Sequence, residues 1–146
     1  MASRVVDKVV CYVVDGQRLL VFTHLSHALT VTGVQVPAGT IEVGEAPAAA
    51  AIRETLEETG HLARVIRELG SATYDLSPMR DEIARRTFFQ LELVEKAPER
   101  WTSGEMNPST AGPVEEWECW WMPVTQAHVL AAGLGALSGR IVPPPA

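Results

Sequence analysis

Gly39-Thr-Ile-Glu-Val-Gly-Glu45-Ala-Pro47-Ala-Ala-Ala-Ala-Ile52-Arg53-Glu54-Thr55-Leu56-Glu57-Glu58-Thr59-Gly60-His61 is the stretch on which the reading of this chain turns. A glycine turn leads into a helix opened by Pro47, whose missing N–H is one that a first helical turn leaves unpaired anyway. Gly60 follows the last helical residue as a C-cap. On a helix advancing about 100° per residue, Glu54, Glu57 and Glu58 fall within one arc of roughly 100°. Ala49, Ile52 and Leu56 cluster on the nearly opposite face, which predicts that this side is buried.

The acidic arc is locally unfavourable. Like charges three and four residues apart each cost roughly 0.2–0.5 kcal/mol. Acids in a last turn also face the negative end of the helix dipole, at about 0.3–1 kcal/mol each. A sequence that breaks local rules without visible compensation marks a candidate functional site. A divalent cation supplies that compensation, since hard cations take oxygen ligands and often sit on a few carboxylates plus substrate phosphates. A lone Glu-Glu pair would be read instead as a solvated helix face.

The flanking residues decide between the two. The stretch resembles the Nudix box: Gly, five residues, Glu, seven residues, Arg-Glu, an aliphatic residue, any residue, Glu-Glu, any residue, Gly and an aliphatic residue. Gly39, Glu45, Arg53, Glu54, Glu57, Glu58 and Gly60 stand at those fixed positions. Thr55 and His61 depart, standing where the family has bulky aliphatic side chains, which bears on packing rather than chemistry.

The resemblance implies an α/β fold of the Nudix type, an α/β/α sandwich with a mixed sheet between helices. It implies a hydrolase that splits the diphosphate bond of a nucleoside diphosphate linked to another group, with Mg²⁺ or Mn²⁺ as cofactor. Glu57 and Glu58 resemble the principal metal ligands, joined by the carbonyl of Gly39. Glu54 matches a position that ligates metal or serves as base, and Arg53 one that braces the carboxylates. Glu45 is left between a place near the metal and a capping role at the helix start. A further ligand or base from a later loop has candidates in Glu99, Glu105, Glu115 and Glu116, with Glu105 and Glu116 preferred. Trp101 and Arg80 are candidate substrate contacts, by stacking and by charge. Competing readings are a non-catalytic nucleotide-sensing module and an allylic diphosphate isomerase, which would need a cysteine and an acid facing the substrate.

With 146 residues, 47% of them hydrophobic and 21% charged, the chain reads as one domain able to bury its own core. A net charge of −6 argues against a large nucleic-acid surface, and disfavours an RNA-cap substrate, while leaving room for a phosphorylated small molecule. No apolar run has signal-peptide or membrane-spanning length, so the expected compartment is the cytoplasm, with no membrane partner. The oligomeric state is open, a homodimer included. Cys11 and Cys119 have no ligand-like spacing and read as buried thiols. The four histidines are scattered.

Along the chain, residues 5–14 and 17–23 predict a hairpin about Asp15-Gly16. Residues 34–36, 62–69, 71–76, 85–94 and 116–122 predict strands. Residues 95–113 predict a long connection without secondary structure, suited to a lid. Residues 124–137 predict a closing helix, and 138–146 a loose tail.

Overall fold

Residues 9–14 of the first strand are buried without a break, the pattern of a strand covered on both faces. The computed structural model describes residues 3–25, 33–104 and 116–144, and shows how that burial arises. The strands are β1 (Arg4–Asp15), β2 (Arg18–His24), β3 (Ala38–Thr40), β4 (Ala63–Asp75), β5 (Glu82–Leu93), β6 (Arg100–Gly104) and β7 (Glu116–Pro123), with helix α1 (Pro47–Thr59) between β3 and β4. They form a 7-stranded sheet in the order β4-β5-β1-β2-β7-β6, with β3 paired to β1. β1 runs parallel to β5 and antiparallel to β2 and β3, so the sheet is mixed.

Alternate residues of β1 feed two cores. Val9, Cys11 and Val13 join Leu20, Phe22, Phe89 and Leu91 under Ala50 and Ala51 of α1. Val10, Tyr12 and Val14 join Leu19, Val21 and Phe88 under Ala127, Leu130, Leu134 and Ile141. This is an α/β architecture, with a mixed sheet between two covering layers.

Several elements differ from expectation. Residues 34–36 make only an isolated bridge, Phe22 to Gln35, and the paired strand begins after Pro37, at Ala38. The two strands predicted over 62–76 are one strand, β4, whose register shifts near Ile66 and Leu69. Gly70, at φ 115°, absorbs the second irregularity without a break. The connection over 95–113 is interrupted by β6, which pairs with β7 from Arg100↔Trp120 to Gly104↔Glu116.

The closing helix over 124–137 does not form. A 3₁₀ turn over Val124–Val129 ends where Leu130 becomes extended, and another spans Ser138–Arg140. Ala132 and Gly133 lie in the left-handed region, at φ 54° and 71°, and fold the chain back. A Cβ on Gly135 would sit 2.5 Å from the Ala127 carbonyl oxygen, so the returning chain passes against the first turn. The segment expected as a loose tail is fastened as far as residue 144. Gln90 both donates to the Val142 carbonyl (2.9 Å) and accepts from its N–H (3.0 Å), and Gln17 donates to the Pro144 carbonyl (2.9 Å).

Candidate metal and phosphate site

Helix α1 begins at Pro47 after an extended Ala46 and ends at Gly60, whose left-handed backbone (φ 78°) lets its N–H bond the Leu56 carbonyl. Its buried face is not the one the apolar pattern predicts. Ala49 is exposed and Leu56 is 45% exposed, while Ala50, Ala51, Thr55 and Thr59 are buried. The four consecutive alanines let the helix sit close to the sheet. Burying two threonines is tolerable because their hydroxyls donate to the Ala51 (2.9 Å) and Thr55 (2.7 Å) carbonyls. Thr55 thus fills its departure from the box pattern with a satisfied hydroxyl.

This seating turns part of the acidic arc inward, against β3. Glu58 accepts a hydrogen bond from the Ala38 N–H (3.0 Å), and the carboxylate of Glu54 lies against Gly39. A Cβ on Gly39 would collide with that carboxylate, which is the physical reason for a glycine here. Glu57 stays in solvent, its side chain 57% exposed.

Arg53 ties these groups together. Its Nε and Nη2 donate to both oxygens of Glu45 (2.8 and 2.9 Å), a two-pronged ion pair. Nη2 also donates to the Thr40 carbonyl (3.0 Å), and Nη1 to Glu54 (2.9 Å) and Glu57 (3.3 Å). Glu45 in turn accepts from the Glu42 N–H (3.0 Å), so it secures both the turn before α1 and the arginine. The fork geometry of a guanidinium suits this bridging as an ammonium would not.

The carboxylates differ in charge preference. The Arg53 guanidinium, with the Glu42 N–H, holds Glu45 down at about 2. Burial raises Glu54 above its ordinary value despite Arg53. Burial, reinforced by Glu54 nearby, pushes Glu58 well up, against the opposing bond from Ala38. Two inward carboxylates that resist ionisation, beside a backbone without a Cβ, are a donor set suited to a hard divalent cation. Among the described residues, no three His, Cys, Asp or Glu side chains converge tightly enough to enclose an ion. Glu54 and Glu57 are turned to Arg53 and Glu58 to Ala38, so gathering them on one ion requires side-chain rotation about fixed backbone positions.

The remaining candidates lie elsewhere or in other employment. Glu99 is ion-paired with Arg18. Glu116 opens β7, its carbonyl accepting from the Leu25 N–H (2.9 Å). Glu105 and Glu115 lie outside the described residues. Arg80 sits in the β4–β5 turn with Nη1 3.9 Å from Glu82, not among the groups around Arg53. Trp101, expected in a structureless connection and offered for substrate stacking, is a β6 residue packed against the end of α1. Cys11 and Cys119 are buried free thiols, Cys119 pushed up to about 12 by burial and Cys11 further. The backbone partners of the site, Ala38 N–H and the Thr40 carbonyl, carry no side-chain signal from which sequence could have found them. Thr55, Thr59 and Trp101 are visible in the sequence but nothing there shows what they touch.

Comparison with known proteins fits this architecture. Ninety-seven residues are 34% identical to the RNA pyrophosphohydrolase of Brucella ovis, and equally to that of Brucella melitensis, covering 62% of this chain. The chain spans about half the length of these curated relatives, 54%. A UDP-X diphosphatase structure superposes with a TM-score of 0.67 at 17% identity, covering 96% of this chain and 62% of that one. A NUDIX hydrolase from Nitrosomonas europaea gives 0.65 at 18% identity, covering 96% and 93%. A MutT protein from Methanosarcina mazei Go1 gives 0.66 at 14%, covering 96% and 94%. At these identities the structures speak for the fold alone. The family model for the NUDIX domain matches residues 5–143, and the chain belongs to that family.

Proposed function

We propose that this protein is a Mg²⁺- or Mn²⁺-dependent diphosphohydrolase acting on a nucleoside diphosphate linked to another group. The observation that carries the reading is the seating of α1, which sets Glu54 against Gly39 and Glu58 on the Ala38 N–H, with Arg53 joined to Glu54 and Glu57 and braced by Glu45. Glu57, Glu58, Glu54 and the Gly39 carbonyl would hold the ion. When bound, such an ion lowers the pKa of water and polarises phosphoryl oxygens.

The chain's own residues do the rest. Glu54 faces Gly39 from a partly buried position, where it would either complete the ion's ligands or take a proton from an attacking water. Arg53 holds Glu54 and Glu57 in place, and Glu45 holds Arg53. Since positioning and charge neutralisation supply most of the catalysis in phosphoryl transfer, a rigid carboxylate face is the main requirement.

The relatives' name, RNA pyrophosphohydrolase, brings in a second substrate, a phosphoanhydride carried by an RNA. A net charge of −6 favours a small phosphorylated molecule over an extended RNA surface. The isomerase reading has little support, because both cysteines are buried away from solvent. The non-catalytic sensing module is disfavoured because every box carboxylate is present. Two free thiols suit a reducing compartment such as the cytoplasm. Among the described residues no helix is long and apolar enough to cross a membrane.

The test is a panel of nucleoside di- and triphosphates, sugar nucleotides, dinucleotides and a 5′-triphosphorylated oligoribonucleotide, each with Mg²⁺ or Mn²⁺. The expected result is metal-dependent release of a phosphate-containing product from the small nucleotides. Turnover of the oligoribonucleotide alone would shift the substrate to RNA ends, and no turnover anywhere would refute the hydrolase.

A further inference from the structure

The last turn of α1 has to present Glu57 and Glu58, and on local grounds it is the least secure part of the helix. It carries two adjacent acids at the negative end of the dipole and no basic residue. Terminal turns fray, and their last carbonyls lack helical partners. Here the Leu56 and Thr59 carbonyls have partners. The Gly60 N–H bonds the Leu56 carbonyl (2.9 Å), and the Thr59 hydroxyl accepts from the His61 N–H (3.2 Å). The Thr59 carbonyl accepts from the indole N–H of Trp101 (2.8 Å), a bond made by a side chain from a strand 42 residues on.

Trp101 is itself fixed. Its backbone is paired with Cys119 in β7, and its ring meets His61 edge-on at 4.9 Å and Trp121 at 6.4 Å. It also packs against the core beneath α1. Ser103, two residues on, approaches the Gly60 cap, its hydroxyl 3.7 Å from where a Cβ there would lie. The end of the helix is therefore pinned to the sheet by β6.

We propose that Trp101 is a positioning residue for the cation site: its N–H bond to the Thr59 carbonyl holds the turn that carries Glu57 and Glu58. The proposal rests on the hydrolase reading above. Ligands must be held within about 0.5 Å of productive geometry, so loosening the turn lowers cation affinity even though Trp101 touches no ligand. Loss of a partner acting behind a metal ligand typically weakens binding by roughly 10–100-fold, and a neutral bond to the neighbouring Thr59 carbonyl, which touches no ligand, belongs below that range.

The experiment is a Mn²⁺ titration followed by electron paramagnetic resonance on the wild type, Trp101→Phe and Trp121→Phe. Amide hydrogen exchange is read across residues 56–60 of each. Phe keeps a ring against His61 but deletes the N–H and part of the indole's volume, a volume loss that Trp121→Phe shares. Trp121→Phe deletes a comparable bond, to the Pro98 carbonyl at 3.1 Å, away from the helix end. The expected result is Mn²⁺ binding weakened roughly fivefold per folded molecule in Trp101→Phe, with faster exchange over residues 56–60. Trp121→Phe should match the wild type in both. With the best substrate of the panel, kcat should fall while the substrate KM holds. Unchanged Mn²⁺ affinity in Trp101→Phe, with or without faster exchange, overturns the positioning role alone. A wild type that takes up no Mn²⁺ refutes the hydrolase reading and the positioning role together.

Discussion

On one face of the sheet α1 lies as a regular helix, joined to β3 through Glu58 and to β6 through Trp101. On the other, residues 124–144 double back through two 3₁₀ turns, with left-handed backbone at Ala132 and Gly133. Both layers cover comparable apolar surface of β1, β2 and β5. They differ in what fixes them. The α1 face is specified by charge and by close backbone approach, at Arg53, Glu58 and Gly39. The C-terminal face is held by apolar packing and by scattered side-chain-to-backbone bonds, such as the Tyr12 hydroxyl on Leu134, Arg86 on Ala132, Arg140 on Leu69 and the paired bonds of Gln90 with Val142. The lesson is a division of labour: one face is built for a ligand and the other for closure. Substitutions on the first should strike activity, and those on the second stability.

Glu57→Gln should break the comparison most visibly. Activity should fall by more than roughly a hundredfold, as expected for a lost metal ligand. Stability should stay within about 0.5 kcal/mol, because a solvent-exposed partner of Arg53 is exchanged for relief of like-charge repulsion. Steady-state kinetics and a thermal melt on the same preparation check both halves. A folded variant with near-normal turnover would remove Glu57 from the site.

Gly39→Ala comes next. The added methyl must displace the Glu54 carboxylate, at about 1–3 kcal/mol of overpacking strain, and activity should drop with it. If urea denaturation and kinetics both match the wild type, the close approach of β3 to Glu54 is not a constraint.

Tyr12→Phe tests the closure face. Losing the hydroxyl bond to the Leu134 carbonyl should cost about 0.5–1.5 kcal/mol and leave kcat and KM unchanged. A kinetic defect at constant stability would show that the two faces are not separable.

These differences also explain what was legible in the sequence. The box was readable because its spacing is local: Gly39, Arg53 and the glutamates act within one turn-helix unit, where sequence distance maps onto geometry. The hairpin at Gly16 and the cap at Gly60 were readable for the same reason. The buried side of α1 departs from the apolar pattern at Ala49 and Leu56, because close seating favours small alanines and self-satisfied threonines, while Ile52 packs against the core as the pattern predicts. The closing helix failed at Ala132 and Gly133, where tertiary packing overrode an apolar pattern of helical period. Trp101 was set in a loop because a five-residue edge strand has too little pattern to announce itself, and its partner Thr59 is distant in sequence.

A chelator should have the smallest effect on stability. EDTA should abolish turnover yet leave the unfolding transition cooperative and nearly unmoved, since apolar cores on both sides of the sheet hold the fold. Calorimetry with and without EDTA reads this directly, and unfolding by EDTA alone would make the ion structural.

The central claim, that α1 and β3 together form a divalent-cation site, is tested most directly by Mn²⁺ binding to Glu58→Gln compared with the wild type. Glu58 is the most deeply buried of the box carboxylates, and its amide replacement keeps shape while removing charge. Saturable Mn²⁺ binding by the wild type is expected, with a loss of more than about tenfold in affinity for the folded variant. Equal affinity in the two proteins, with both folded, would contradict it.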